Sequence, residues 1–394
     1  MTAPHGGAIR QPTPHGVHAA ELDCVQANLA VMADHFHGIG THLRLGAETS
    51  FRPRTADGEG GLPTIEPTLQ EQLDRAVRLL GLTVREHRHA VTGAELMALA
   101  ERSKGPLYVV ADAYHLPWVP YHGRQHMAHS LLLSRADGAV LITDAYRNAT
   151  AWGEAVPGQW RLSPEEFAGA VPDGAEMVLF GGGALPTPPD PAAEPADPAV
   201  LRRYTDGYAE HADRAQALGR LCLETWLLAR SRRLAVRYRT ALGLPMPAGT
   251  EDWLKSWEAL CGQVYVAFRR IGRGHAEPPG TLERLTELLS QEAEFLPGGP
   301  PRTVTADGDS ALREEIAGIA ADLLKTDPRA LLAGLAFHQA PDFSSFRVVE
   351  IVERLEAALG VEFDAADMVP EVLCHLEGLV AAAHRAGAGA GVAG

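Results

Sequence analysis

The stretch His129-Ser-Leu-Leu-Leu-Ser-Arg-Ala-Asp-Gly-Ala-Val-Leu-Ile-Thr-Asp144 decides the reading of the N-terminal half. Asp137-Gly138 stands between two apolar runs, a strong hairpin signal, because both central residues of the favoured two-residue turn take positive φ. With those two residues as the turn, Ala136 faces Ala139, and the same register sets His129 opposite Tyr146. Asp144, two places before Tyr146, then shares a face with His129 and lies diagonal to it, within hydrogen-bond reach. A slip of one residue would break this relation.

Upstream, Asp23 followed by Gln26 fits an N-terminal capping box, and Val25, Leu29, Met32 and Phe36 recur at helical spacing. Cys24 therefore falls in the first turn of a helix. Unpaired N–H groups and the positive end of the helix dipole favour thiolate over thiol there, by about 0.3–1 kcal/mol at exposed sites. Thiol, imidazole and carboxylate in the chain order Cys24, His129, Asp144 make a candidate acyl-transfer site. The competing reading of Cys24 is a small packed residue.

His126, three residues before His129, is the rival base, but it precedes the strand proper and suits a surface or substrate-contacting role. Asp112, Tyr114 and Trp118 lie where a strand runs into a Pro-containing loop, so the aromatics either line a cleft or cover the core. His35, His37, His87 and His89 form His-x-His pairs. No acidic or cysteine partner completes a ligand set nearby in sequence, so a solvated or strand-face role is favoured and no metal is expected.

The chain has 394 residues, enough for two or three domains, and 46% hydrophobic residues, enough for real cores. Its net charge is −15 with no basic cluster, which argues against nucleic acid as a partner. The Pro-, Gly- and His-rich stretch Met1 to Val17 has no apolar h-region, and no apolar run is long enough to span a bilayer, so no membrane is expected. The four cysteines, Cys24, Cys222, Cys261 and Cys374, lack metal-ligand spacing and suit a reducing cytoplasm; all but Cys24 read as buried hydrophobes.

Two Pro-rich stretches, residues 186–198 and 297–309, read as linkers. They divide the chain into residues 1–185, a helical segment 199–296, a segment 310–388 and a short Gly/Ala-rich disordered tail, 389–394. The first segment is α+β, with helices from Cys24, around Leu69–Leu80 and from Thr92, and strands at 82–87, 107–113 and in the hairpin. The middle segment puts Leu218, Leu221, Trp226 and Leu227 on one helix face and carries no chemical motif. Its helices would serve as a dimer surface or as the acceptor site. The last segment reads as a small helix bundle with Leu312, Ile316, Ile319, Ala320, Leu323, Phe346, Val349, Ile351, Val352, Leu355, Val372, Leu376 and Leu379 as apolar positions.

Cys24, the stretch Ala111-Asp-Ala-Tyr-His-Leu-Pro117, the histidine opening one strand and the aspartate ending the next resemble the N-terminal domain of the butirosin biosynthesis protein H family, over about residues 12 to 185. That family is similar in fold to papain-like and bacteriocin-processing cysteine peptidases. The resemblance implies acyl transfer from a carrier-bound thioester to an amine, with Cys24 as nucleophile, His129 as base and Asp144 as orienting residue. In the peptidases a glutamine six residues before the cysteine supports the oxyanion. The corresponding residue here is His18, which with the Cys24 backbone N–H gives the expected oxyanion hole.

The C-terminal segment, from about Ser310 to Ala386, resembles an acyl carrier protein through Asp342-Phe-Ser-Ser-Phe-Arg-Val-Val-Glu-Ile-Val-Glu-Arg-Leu-Glu356. The alignment puts the modified serine at Ser345, which implies a covalent 4'-phosphopantetheine, with Ser344 where the family has aspartate. An unmodified helix cap is the alternative role for Ser345. The two resemblances together imply a cytoplasmic cysteine acyltransferase of secondary metabolism. Its partners would be an acyl or aminoacyl thioester donor, a small-molecule amine or hydroxyl acceptor, a phosphopantetheinyl transferase and a carrier-loading enzyme. Tethering would hold donor and transferase at an effective concentration of about the millimolar range. The rival readings are a non-catalytic carrier and docking scaffold, and a cysteine peptidase or thioesterase.

Overall fold

A hairpin closed at Gly138 (φ 76°) supplies two interior strands of a six-stranded antiparallel sheet. The computed structural model describes residues 13–55, 61–103, 105–136, 138–297, 306–332, 335, 337–364, 367 and 370–387. Asp137, the expected tail and most of the second linker lie outside the described residues. The strands are β1 (Leu82–Val91), β2 (Leu107–Asp112), β3 (Ala128–Ala136), β4 (Ala139–Asp144), β5 (Gly158–Leu162) and β6 (Ala175–Gly182). Their order is β5-β4-β3-β2-β6-β1, all antiparallel. The hairpin pairs Ala136 with Ala139 and Leu132 with Thr143, the register set by the two-residue turn. The fold is α+β, with the sheet in the N-terminal half and mostly helices in the C-terminal half.

The chain divides into two compact units. The first comprises residues 1–42, 72–187 and 321–348 and holds the sheet. Helix α1 (Cys24–His37) packs against β3 and β6, and the Tyr108 hydroxyl of β2 donates to the Val25 carbonyl at 3.2 Å. Sequence spacing suggested one apolar stripe on α1, yet all but Gln26, His35 and Phe36 are buried. Ala27, Ala30 and Ala33 give α1 a second face slim enough to be covered as well. After α2 (Leu69–Leu80), helix α3 (Gly93–Arg102) starts with the expected Thr92–Glu95 capping box. Helix α4 (Pro164–Ala170) has a Ser163–Glu166 box of the same kind that went unread. Strand β1 runs four residues beyond the expected His87, and β5 and β6 were not foreseen.

The second unit comprises residues 43–71, 188–320 and 349–394. Its core gathers Tyr204, Tyr208, Trp253, Trp257 and leucines from α5 (Pro198–Ala209), α6 (Arg214–Ala241), α7 (Thr250–Ile271) and α8 (Thr281–Ser290), with Leu296 directly after the short α9 (Glu292–Phe295). The buried face of α6 is Leu218, Leu221, Glu224, Thr225 and Leu228, so Trp226 and Leu227 flank it, and a carboxylate lies in the stripe. Glu224 is fully buried and accepts from Thr64 Oγ1 at 2.7 Å, the Ile65 N–H at 2.6 Å and the Tyr204 hydroxyl at 3.2 Å. Burial pushes its pKa up despite these donors and Arg220. Gly46 is required where the chain crosses α6, since a Cβ there would run into the Leu234 carbonyl. Within the expected linker, Ala192–Ala193 forms a two-residue parallel pairing with Glu48–Thr49.

The C-terminal helices are α10 (Ala306–Leu324), α11 (Pro328–Leu332), α12 (Ser345–Leu359), α13 (Pro370–Leu373) and α14 (Leu376–Arg385). Ile316, Ala320, Ile351, Leu355 and Leu379 are fully buried, whereas Phe346 (88% exposed) and Val349 (55%) face outward instead of joining the apolar set. Among the described residues no helix is long and apolar enough to cross a membrane.

Candidate active site

The Asp23 side chain accepts the Gln26 N–H at 2.7 Å while Gln26 Oε1 accepts the Asp23 N–H at 3.3 Å. This box fixes Cys24 as the first residue of α1. The Cys24 thiol points at the start of β3, donating to the Ala128 carbonyl at a Sγ–O distance of 3.7 Å. The next residue on that strand is His129. Only 9% of Cys24 is exposed.

His129 and Asp144 are both buried, with His129 Nε2 donating to Asp144 Oδ2 at 2.7 Å. The β3–β4 ladder ends at Leu132 and Thr143, so the histidine pairs with Ala111 of β2, and the two side chains meet across the opening hairpin end. Asp144 is held on both oxygens. Trp118 Nε1 donates to Oδ2 at 3.2 Å, the Tyr146 N–H to Oδ1 at 2.9 Å and Asn28 Nδ2 to Oδ1 at 3.3 Å. These donors hold the carboxylate in a fixed orientation.

The engagement of Nε2 leaves Nδ1 as the nitrogen available for proton transfer. It is buried and has no hydrogen bond of ordinary geometry, an orphan of the kind found where chemistry occurs. Burial pulls the imidazole pKa down. The Asp144 charge and hydrogen bond, together with the Cys24 sulfur, outweigh burial and raise the pKa from 6.5 to about 10. The protonated ring is thereby favoured beside the Cys24 sulfur.

Asn28, one turn after Cys24, is the residue sequence reading missed. Its Oδ1 accepts the Ala145 N–H at 3.0 Å and its Nδ2 reaches the Ser130 carbonyl at 2.9 Å, which ties α1 to both hairpin strands. Ser130 Oγ donates to the Cys24 carbonyl at 2.6 Å. The only signal was a polar residue inside an apolar helical run. Trp118, left between cleft and core, shields Asp144 and stacks on Trp160 with centroids 5.8 Å apart.

His126 belongs elsewhere: it bonds Asp112 Oδ2 at 2.5 Å and stacks on Tyr114 at 4.1 Å, largely exposed. Burial raises the Asp112 pKa, but the His126 hydrogen bond and the Tyr114 and Met127 N–H groups together hold it below its ordinary value.

His18 is turned toward His42. The His18 backbone N–H donates to His42 Nε2 at 3.2 Å, so that nitrogen is an acceptor and the His42 proton sits on Nδ1, 2.8 Å from Asp34 Oδ2. His18 Nδ1, 2.9 Å from the same Nε2, is then a donor. Neutral His18 therefore carries its ring proton on Nδ1, so an N–H donated from Nε2 to an oxyanion requires the imidazolium form.

Ser345 opens α12, and its side chain lies outside the described residues. The cap is Ser344, whose Oγ accepts the Arg347 N–H at 3.3 Å, so the alternative role of Ser345 as the cap does not hold. Of the remaining cysteines Cys374 is buried, but Cys222 and Cys261 are only partly so, with thiols pushed by burial up to about 12 and about 11. None of the four cysteines is in a disulfide. Among the described residues one cluster has metal-ligand character, His87, His89 and Glu176. The acidic partner missing from the local sequence is supplied by a strand almost 90 residues away. No protein-family model matches the chain, and no curated protein matches it.

Proposed function

We propose that the chain is a cysteine acyltransferase of the papain-like, butirosin-type class. In this reading an acyl or aminoacyl group passes from a phosphopantetheine thioester to an amine or hydroxyl acceptor. The observation that carries it is the buried His129–Asp144 pair, whose unbonded Nδ1 lies in the surroundings of a thiol at a helix N-terminus.

The chemistry follows from the proton inventory. Cys24 attacks the thioester carbonyl as thiolate, and the C–S bond to the donor breaks. The departing thiolate takes the proton held at His129 Nδ1. The acceptor then attacks the acyl-cysteine, His129 Nδ1 receives its proton, and the Cys24 thiolate is released. Asp144 keeps the ring oriented and stabilises its cation throughout.

The C-terminal helices are read as a carrier-type bundle. Ser345, first in α12 between exposed Ser344 and Phe346, fits an attachment point, and a phosphopantetheine arm there would supply the donor thioester. This gives the protein a phosphopantetheinyl transferase and a carrier-loading enzyme as partners in a biosynthetic pathway.

The test is turnover of an acyl-loaded carrier with and without small amines. Acceptor-dependent product without free acid, lost in Cys24→Ser, supports transfer. Free acid formed equally without acceptor would make the protein a thioesterase. Activity that persists in Cys24→Ser would refute the nucleophile.

A further inference from the structure

Strand β1 is an edge strand, and its pairing with β6 is irregular at two points, one of them beside Glu176. Ala175 pairs with Val91 and Met177 with Arg88, so a single β6 residue, Glu176, faces two β1 residues, His89 and Ala90. Ala90 takes φ +53°, a left-handed conformation that alanine adopts at an energetic cost. Such bulges re-aim side chains and recur beside functional sites.

Here the bulge converges three donors. His87 and His89 are two residues apart and share a face of β1, and Glu176 lies on the same side of β6. His87 Nε2 is 3.1 Å and His89 Nδ1 3.4 Å from Glu176 Oε2, and one ligand atom from each residue falls within 4.8 Å of the others. Zinc bonds of about 2.0–2.2 Å in a tetrahedron give ligand–ligand edges of about 3.3–3.6 Å, close to both separations. Salt bridges alone would not require the two imidazole rings to lie 4.4 Å apart, where two cations repel.

We propose that His87, His89 and Glu176 form a divalent transition-metal site, with Zn2+ as its natural occupant. The set is two neutral imidazoles and one carboxylate, a donor combination that suits Zn2+ over Mg2+ or Ca2+, with the fourth position left to water. The ion clamps the edge strand β1 to β6 across the bulge. The inference is independent of the acyltransferase reading.

The experiment is calorimetric titration of chelator-treated full-length protein with zinc chloride, paired with thermal melts and with the absorption spectrum of the Co2+-loaded form. The expected result is one site per chain, a tetrahedral Co2+ spectrum and a melting temperature raised by Zn2+. His89→Ala and Glu176→Gln should each weaken binding at least about tenfold, since even the loss of an outer partner costs that much. His89 is 70% exposed, so its variant remains folded, and His126→Ala should bind like wild type. Absence of Zn2+ binding, or binding unchanged in both ligand variants, would overturn the proposal.

Discussion

His129 Nε2 and Asp144 Oδ2 lie 2.7 Å apart at the end of a hairpin whose turn is two residues long, and the residue before His129 receives the Cys24 thiol on its carbonyl. The dyad and the thiol contact therefore fall on neighbouring residues at the opening end of that hairpin. Trp118 and Asn28 close the remaining approaches to the carboxylate.

Asp144→Asn keeps the volume but offers His129 an amide and removes the charge that stabilises the imidazolium. Acyl transfer should fall about 10²–10⁴-fold, by analogy with orienting carboxylates of serine hydrolases. Rapid-quench assays on a pantetheine thioester would measure this. A loss smaller than tenfold would mean that Asp144 is only structural.

The raised pKa of His129 has a stability consequence. Because the folded value (about 10) lies above the ordinary 6.5, the contribution is fully present below pH 6.5 and is lost as pH rises through about 10. Urea midpoints should decline over that window for the wild type and much less for His129→Gln. Parallel pH curves for the two proteins would contradict the assignment.

His126 bonds Asp112 and stacks on Tyr114, outside the Cys24–His129–Asp144 set. His126→Ala should keep the chemical step, seen as unchanged single-turnover rates, whereas His129→Ala should abolish it. Equal losses in the two variants would reopen the choice of base.

In the helical unit, Glu224→Gln replaces a carboxylate that accepts from Thr64, Ile65 and Tyr204 and pairs with Arg220. An amide cannot accept on both sides, so at least one buried donor loses its partner, at a cost of about 1–3 kcal/mol. Denaturant unfolding should show the loss. An unchanged midpoint would mean that the segment 43–71 is not held through this residue.

The parts of the site legible in sequence are those fixed by local rules. The Asp23 capping box set Cys24 in its turn, and the two-residue turn set the hairpin register as far as Leu132 and Thr143, beyond which His129 pairs with Ala111 and meets Asp144 by side chain alone. What stayed hidden depended on contacts distant in sequence. Asn28 is bonded to residues about 100 positions away, and β6 reads as a short apolar run whose partner β1 lies almost 90 residues upstream. The His18 expectation was made from position alone, and His42 and Asp34 now determine which of its nitrogens carries the proton. On α6 the buried stripe contains Glu224, so apolar spacing alone pointed to Trp226 and Leu227 and missed the phase of the helix.

The most direct measurement is peptide mass spectrometry of the protein after brief exposure to an acyl-pantetheine thioester with no acceptor present. The account predicts the acyl mass on the Cys24 peptide, absent in Cys24→Ser, formed slowly in Asp144→Asn and discharged when an amine is added. Turnover of the thioester with Cys24 never acylated, or acyl groups distributed equally over Cys222, Cys261 and Cys374, would contradict it.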